Sequence, residues 1–171
     1  TWTVDSAVTV GSSPRFLTAG DDGSVWVADS VDATVKRITN VGGVRAVADT
    51  VSLQGSTLAG HTKGLDGTIF VADRTQGSLH PIRFDTEGRY WYDQIPISFA
   101  MTNHEMILAT GPDGDIWVAF RGTSTVQSMK KVNGWWVAQT ALNASFGTYT
   151  IAAGPGGTMW VGSTDGRASQ L

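Results

Sequence analysis

The chain of 171 residues contains no cysteine, which excludes disulfide staples and thiol chemistry but leaves the compartment open. Extracellular, virion and cytoplasmic settings all remain compatible with it. No apolar run approaches the roughly 20 residues of a membrane-spanning helix, and no charged-then-apolar leader opens the chain, so membrane insertion is not expected. Basic residues are few, 12 Lys and Arg against 15 Asp and Glu, and they are scattered. Their only adjacent pairs are Lys36-Arg37 and Lys130-Lys131, so the basic stripe that neutralises phosphates is missing and nucleic acid is not an expected partner. Also missing is any stretch of ten or more residues with a clean helical period, which points to an all-β chain. Proline is scarce, at five residues.

Glycine is plentiful, at 21 residues, and apolar residues make up 41% of the chain, enough for a core in one compact domain. Part of that glycine sits in a phrase that occurs four times. It reads Asp22-Gly23-Ser24-Val25-Trp26-Val27, Asp66-Gly67-Thr68-Ile69-Phe70-Val71, Asp113-Gly114-Asp115-Ile116-Trp117-Val118 and Gly156-Gly157-Thr158-Met159-Trp160-Val161. Aromatic to aromatic, the spacing is roughly 44, 47 and 43 residues, the range of propeller blades and solenoid units.

Each unit is expected to hold four short strands. The first is apolar: Phe16-Leu17-Thr18-Ala19, Leu58-Ala59-Gly60-His61, Met106-Ile107-Leu108-Ala109 and Tyr149-Thr150-Ile151-Ala152. Asp-Gly and Gly-Gly suit a type I′ hairpin turn, and the aromatic strand follows it. Val35, Leu79 and Val126 place a third strand, and the fourth is expected at 44–53, 90–99 and 135–142. The expected architecture is a single β-propeller of four-stranded antiparallel blades spanning 1–171. Its repeats fall at about 11–53, 54–99, 100–144 and 145–171. The last unit has no room for a fourth strand, whereas residues 1–10 alternate Trp2, Val4, Val8 and Val10 with no unit before them. Residues 1–10 are therefore expected to complete the last blade and close the ring within one chain, which removes exposed strand edges. A ring shared by two chains and a piece of a longer chain are the alternatives.

Pro14-Arg15-Phe16-Leu17-Thr18-Ala19-Gly20, Trp26-Val27-Ala28-Asp29 and Val35-Lys36-Arg37-Ile38 resemble the repeat of NHL-type and streptogramin-lyase-type (virginiamycin B lyase-like) propellers. Gly111-Pro112-Asp113-Gly114-Asp115-Ile116-Trp117-Val118 is the closest match to the lyase pattern. The resemblance implies a larger ring, usually of seven blades. It also implies elimination that opens cyclic streptogramins with a magnesium ion and a histidine base ahead of a Gly-Pro-Asp-Gly turn. His104, seven residues before Gly111, is the candidate here.

Asp22, Asp66 and Asp113 are explained as turn residues, since no calcium-loop spacing accompanies them. Trp26, Phe70, Trp117 and Trp160 are expected between blades rather than as sugar platforms. His61 interrupts the apolar column of Leu17, Leu108 and Ile151, His80 is expected at the surface, and His104-Glu105 lies in a blade-joining loop. The loop face is expected to carry the ligand-binding residues Arg15, Asp73, Arg74, His104, Glu105, Arg121 and Tyr149, with His61 just below in the channel. In the outer strand, one of Trp135 and Trp136 must point away from its own blade.

The expected function is a non-catalytic binding or assembly propeller without cofactor or metal. It would recognise a protein or glycan on the loop face, as a homodimer or as part of a virion or other large assembly. The alternative is a streptogramin-lyase-like, metal-assisted C–O lyase using magnesium, with His61, His104 and Glu105 as catalytic candidates.

Overall fold

A computed structural model of the chain describes residues 6–84, 90–92 and 102–171. Its strands form four antiparallel sheets that follow one another in chain order. The first holds β1 (Pro14–Ala19), β2 (Val25–Asp29), β3 (Thr34–Val41) and β4 (Val44–Ser52). The second holds β5 (Leu58–Lys63), β6 (Ile69–Asp73), β7 (Ser78–Phe84) and β8 (Tyr90–Tyr92). The third holds β9 (Met106–Thr110), β10 (Ile116–Phe120), β11 (Thr125–Val132) and β12 (Trp135–Ala138), with β13 (Leu142–Asn143) also paired to β11. The fourth holds β14 (Thr150–Ala153), β15 (Met159–Gly162) and β16 (Ala168–Gln170). Of the strand expected at 90–99, only 90–92 falls among the described residues.

Each repeated phrase makes the hairpin between the first two strands of its sheet, but the turn differs from expectation. Gly20 N donates to Ser24 O at 2.9 Å and Gly23 N to Gly20 O at 3.4 Å, with Gly23 at φ 77°. Asp22, Asp66 and Asp113 are not among the residues with positive φ, so these are three-residue loops with one left-handed glycine rather than type I′ turns. The aspartate has a local reason to be there. Its Oδ1 accepts the backbone N–H two residues on, from Ser24 at 3.0 Å, Thr68 at 3.2 Å and Asp115 at 3.2 Å.

Strand alternation sends successive side chains of the second strand to opposite sheet faces, and both faces are covered in the middle of the row. Trp26 is buried with Leu58, Ile69, Val71 and Ile82 of the second sheet. Phe70 is buried with Leu108, Ile116, Val118 and Met129 of the third. Trp117 packs against the cluster of Ile151, Met159 and Val161 in the fourth. Three apolar layers therefore join four blades. Trp136 adds to the second layer by meeting Phe70 edge-on at 4.9 Å, while Trp135 points out and is 67% exposed.

The expected closure by residues 1–10 is not what the described residues form. Residues 6–10 are in no strand, and Val8 and Val10 lie beside Leu17, Val27 and Ile38 of the first blade. Residues 1–5 lie outside the described residues. The segment is anchored where it is by hydrogen bonds: Ser13 N donates to Asp29 Oδ2 at 2.7 Å and Ser12 Oγ to Asp32 Oδ1 at 3.0 Å. Gly11, at φ 135°, permits this approach, because a Cβ there would come within 2.3 Å of Asp29 Oδ2. The innermost strands pack in a row, β1 on β5, β5 on β9 and β9 on β14, with no comparable contact from β14 back to β1. The four blades form an open arc.

Candidate functional site on the loop end of the blades

One end of the arc carries the hairpin turns, the other the blade-joining loops and the loops after β2, β6 and β10. At the loop end, residues from three blades meet. Arg15, at the β-bulge where β1 shifts register against β2, reaches across the inner end of the second blade to Glu105 before β9, with Nη2 3.3 Å from Oε1. The other oxygen, Oε2, accepts from Arg121 Nη1 just after β10. Arg121 Nη2 donates to the Tyr149 hydroxyl ahead of β14, and its guanidinium carbon lies 4.0 Å from the centre of the Tyr149 ring. Arg15 and Arg121 stay 45% and 35% exposed, so a ligand can reach them.

Two guanidiniums share one carboxylate, and the cluster keeps a net positive charge. Fork-shaped donors of this kind suit a carboxylate, phosphate or polarised carbonyl oxygen. Both Glu105 carboxylate oxygens accept from arginine, Oε1 from Arg15 and Oε2 from Arg121. His104 itself is half-buried and follows Asn103, which is left-handed at φ 64° and donates its N–H to Arg74 O at 2.6 Å. Arg74 is exposed on the neighbouring loop.

Asp73 was expected on this face but is fully buried. Its Oδ1 accepts backbone N–H groups of Thr57 at 3.2 Å, Thr75 at 2.8 Å and Gln76 at 3.3 Å. Asp29 does the same in the first blade, accepting from Ser13, Val31 and Asp32. Burial by itself would raise the Asp29 pKa, but these backbone donors outweigh it and the net shift is downward. These aspartates fasten the blade entrance to the loop after the second strand. The same position becomes Phe120 in the third blade, where the Thr148 hydroxyl donates to Phe120 O at 3.0 Å instead.

His61 lies on β5 and turns toward the first blade, its ring edge-on to Phe16 at 6.0 Å. Neither imidazole nitrogen makes a well-formed hydrogen bond, although the Leu17 backbone is close enough to favour the protonated form slightly. Burial dominates and pushes its pKa down to about 4, so His61 is a neutral interface residue at pH 7. His80, expected at the surface, is only 5% exposed. Its Nε2 lies 3.8 Å from Asp73 Oδ2, and burial lowers its pKa against the opposing pull of that carboxylate. The alternation that carries Ile82 into the core carries His80 with it, a signal already present in the sequence.

The hairpin end holds two clefts, one lined by Asp21, Asp22, Asp66 and Arg83, the other by Asp66, Asp113, Asp115 and Lys131. Their carboxylates serve turns and ion pairs: Asp22 with Arg37, Asp21 with Lys63, and Asp66 with both Arg83 and Lys131 at 3.3 Å. Among the described residues no group of three or more His, Cys, Asp or Glu could hold a metal ion. The magnesium ion that the resemblance implies has no matching donor set there.

Open sheets in radial succession, each joined to the next through its second-strand aromatic, are the arrangement of propeller blades. The fold is that of a β-propeller. Solved structures with this arrangement agree. Virginiamycin B lyase from Staphylococcus aureus, in a catalytically inactive form with quinupristin, matches at 18% identity with a TM-score of 0.68, covering 95% of this chain and 56% of that one. A 6-phosphogluconolactonase-like protein from Bacteroides uniformis matches at 11% identity and TM-score 0.72, covering 94% and 56%. A gluconolactonase-like protein matches at 16% and 0.66, covering 92% and 57%. The chain thus spans about half the length of the structures it matches, and the likeness establishes the fold. No family model matches the sequence, and no curated protein does.

Proposed function

We propose that this chain contributes the ligand-binding loop face of a propeller enzyme that cleaves a C–O bond in a cyclic ester. The observation that carries the proposal is the convergence of Arg15, Glu105, Arg121 and Tyr149 from three blades at one end of the arc. The names of the structural neighbours, a streptogramin-type lyase and lactonase-like proteins, support the substrate class. In this scheme Arg15 and Arg121 hold the acyl oxygens and stabilise negative charge as it develops. Glu105 fixes the two guanidiniums, and Tyr149 supports Arg121 from below. His104 takes the proton from the carbon next to the carbonyl, the C–H electron pair forms a C=C bond to the neighbouring carbon, and the ester C–O bond at that neighbour breaks, its electron pair leaving on the released carboxylate. No step is routed through a metal ion here, because no donor set for one is found among the described residues.

A non-catalytic propeller that binds a protein or glycan through the same face is the second reading. The full engagement of Glu105 by arginines, which leaves a pre-formed charged platform, favours it. Quinupristin as a probe separates the two. Ring opening that is lost in Arg121→Ala and His104→Ala, with an unchanged melting temperature, is the expected result. Binding weakened by Arg121→Ala without any turnover would leave the binding propeller. Binding and turnover both indifferent to Arg15→Ala and Arg121→Ala would remove the loop face from consideration.

A further inference from the structure

We propose that the ligand of the loop face carries an oxyanion of its own, a phosphate or a carboxylate, bound between Arg15, Arg121 and the Tyr149 hydroxyl. This rests on the loop face being the ligand site, and it names the chemistry that the site selects. Donors and acceptors in the cluster are out of balance. Both oxygens of Glu105 are taken, Oε1 by Arg15 and Oε2 by Arg121. The Tyr149 oxygen accepts from Arg121 Nη2, so its own O–H is free to donate elsewhere. Each guanidinium keeps N–H groups beyond these bonds, and all three side chains retain exposed surface.

The other described carboxylates of the loop end are engaged where they stand. Asp29 and Asp73 accept backbone N–H groups of the loops, Asp32 accepts from Ser12, and Asp165 pairs with Arg167. Among the described residues, the cluster therefore offers donors on a net positive charge. An ester carbonyl has one oxygen to receive them. A phosphate or carboxylate brings several oxygens and the opposite charge. The donors are also held ready, since Arg15 lies 5.7 Å from the centre of the Phe16 ring and Arg121 4.0 Å from that of Tyr149. A ring beside each planar fork, and one carboxylate shared by both, lowers the ordering cost of binding. The hairpin end is different: Arg37, Lys63, Arg83 and Lys131 each pair with an aspartate.

The test is calorimetric titration of the full chain with inorganic phosphate and with succinate, at fixed ionic strength. Saturable one-to-one binding is expected, and the tighter of the two anions tells phosphate from carboxylate as the preferred group. Arg15→Gln and Arg121→Gln are expected to weaken it about ten-fold or more, and Tyr149→Phe, which keeps the ring and loses the donor, by about three-fold. Lys131→Gln removes one charge at the hairpin end and should leave binding unchanged. Melting temperatures confirm that each variant is folded. Absence of saturable binding for both anions overturns the proposal, and so does a loss in Lys131→Gln equal to that in Arg121→Gln. Quinupristin turnover, followed in parallel, separates this inference from the enzyme reading. Turnover without anion binding removes the inference alone, whereas anion binding without turnover sustains it on a binding propeller.

Discussion

Replacing Phe70 and Trp160 by alanine, one at a time, tests whether the repeated aromatic acts through the blade behind it. Phe70 has no exposed surface and sits among Leu108, Ile116, Val118 and Met129, with Trp136 edge-on at 4.9 Å. Truncating a buried Phe costs about 3–5 kcal/mol, from lost burial plus a cavity that the surroundings fill only partly. The strands on both sides are hydrogen-bonded ladders, so collapse is limited and the upper part of that range is expected. For a chain of this size the fall in melting temperature is roughly 6–20 °C. Trp160 is 41% exposed, and its removal opens no enclosed cavity, so the expected loss is about 1 kcal/mol. Urea denaturation followed by circular dichroism measures both, in samples diluted until the wild-type midpoint no longer depends on concentration. Equal losses at the two positions would refute the reasoning, because they would mean that motif position and not the covering blade sets the energy.

Asp73→Ala leaves the N–H groups of Thr57, Thr75 and Gln76 without their acceptor in a buried setting, and a loss of about 2–4 kcal/mol is expected by thermal melting. His61 has its pKa lowered from 6.5 to about 4, so the unfolded chain binds more protons between those values. Stability contributed by the neutral ring is complete above pH 6.5 and is lost as pH falls toward 4. His61→Leu, the residue found at positions 17 and 108 of the same column, should flatten denaturation midpoints over that window. An unchanged pH dependence would count against the burial of His61. Gly23→Ala forces an alanine into φ 77° and is expected to cost about 1–2 kcal/mol, although space is open around it.

The blade pattern was legible because a strand buried on both faces, a hairpin turn and an aromatic must recur together in every blade. The column of Leu17, His61, Leu108 and Ile151 follows from the same alternation and is the column the register shows. Turn type was misjudged because Asp-Gly is compatible with several loops. What selected the three-residue loop was the side-chain bond from Asp22 to Ser24 N, which holds Asp22 out of the left-handed region. Asp73 and His80 were misplaced for a related reason: both are polar, and composition suggests the surface. Backbone donors hold the first in the interior, and strand parity carries the second there.

Local sequence was sufficient for the first three strands of each blade and the face on which the joining loops lie, since these depend on neighbours within about 45 residues. Which loop residues touch could not be read that way. Arg15 and Glu105 are separated by 90 positions, and they meet across β5, which packs against both β1 and β9. Closure is of the same kind. The alternation of residues 1–10 suits a last-blade strand, but Gly11 and the bonds from Ser12 and Ser13 to Asp32 and Asp29 hold the described part of that segment on the first blade. Pattern specifies that an apolar face must be covered. Which surface covers it depends on contacts between segments far apart in the chain, and those exist only once the blades have packed.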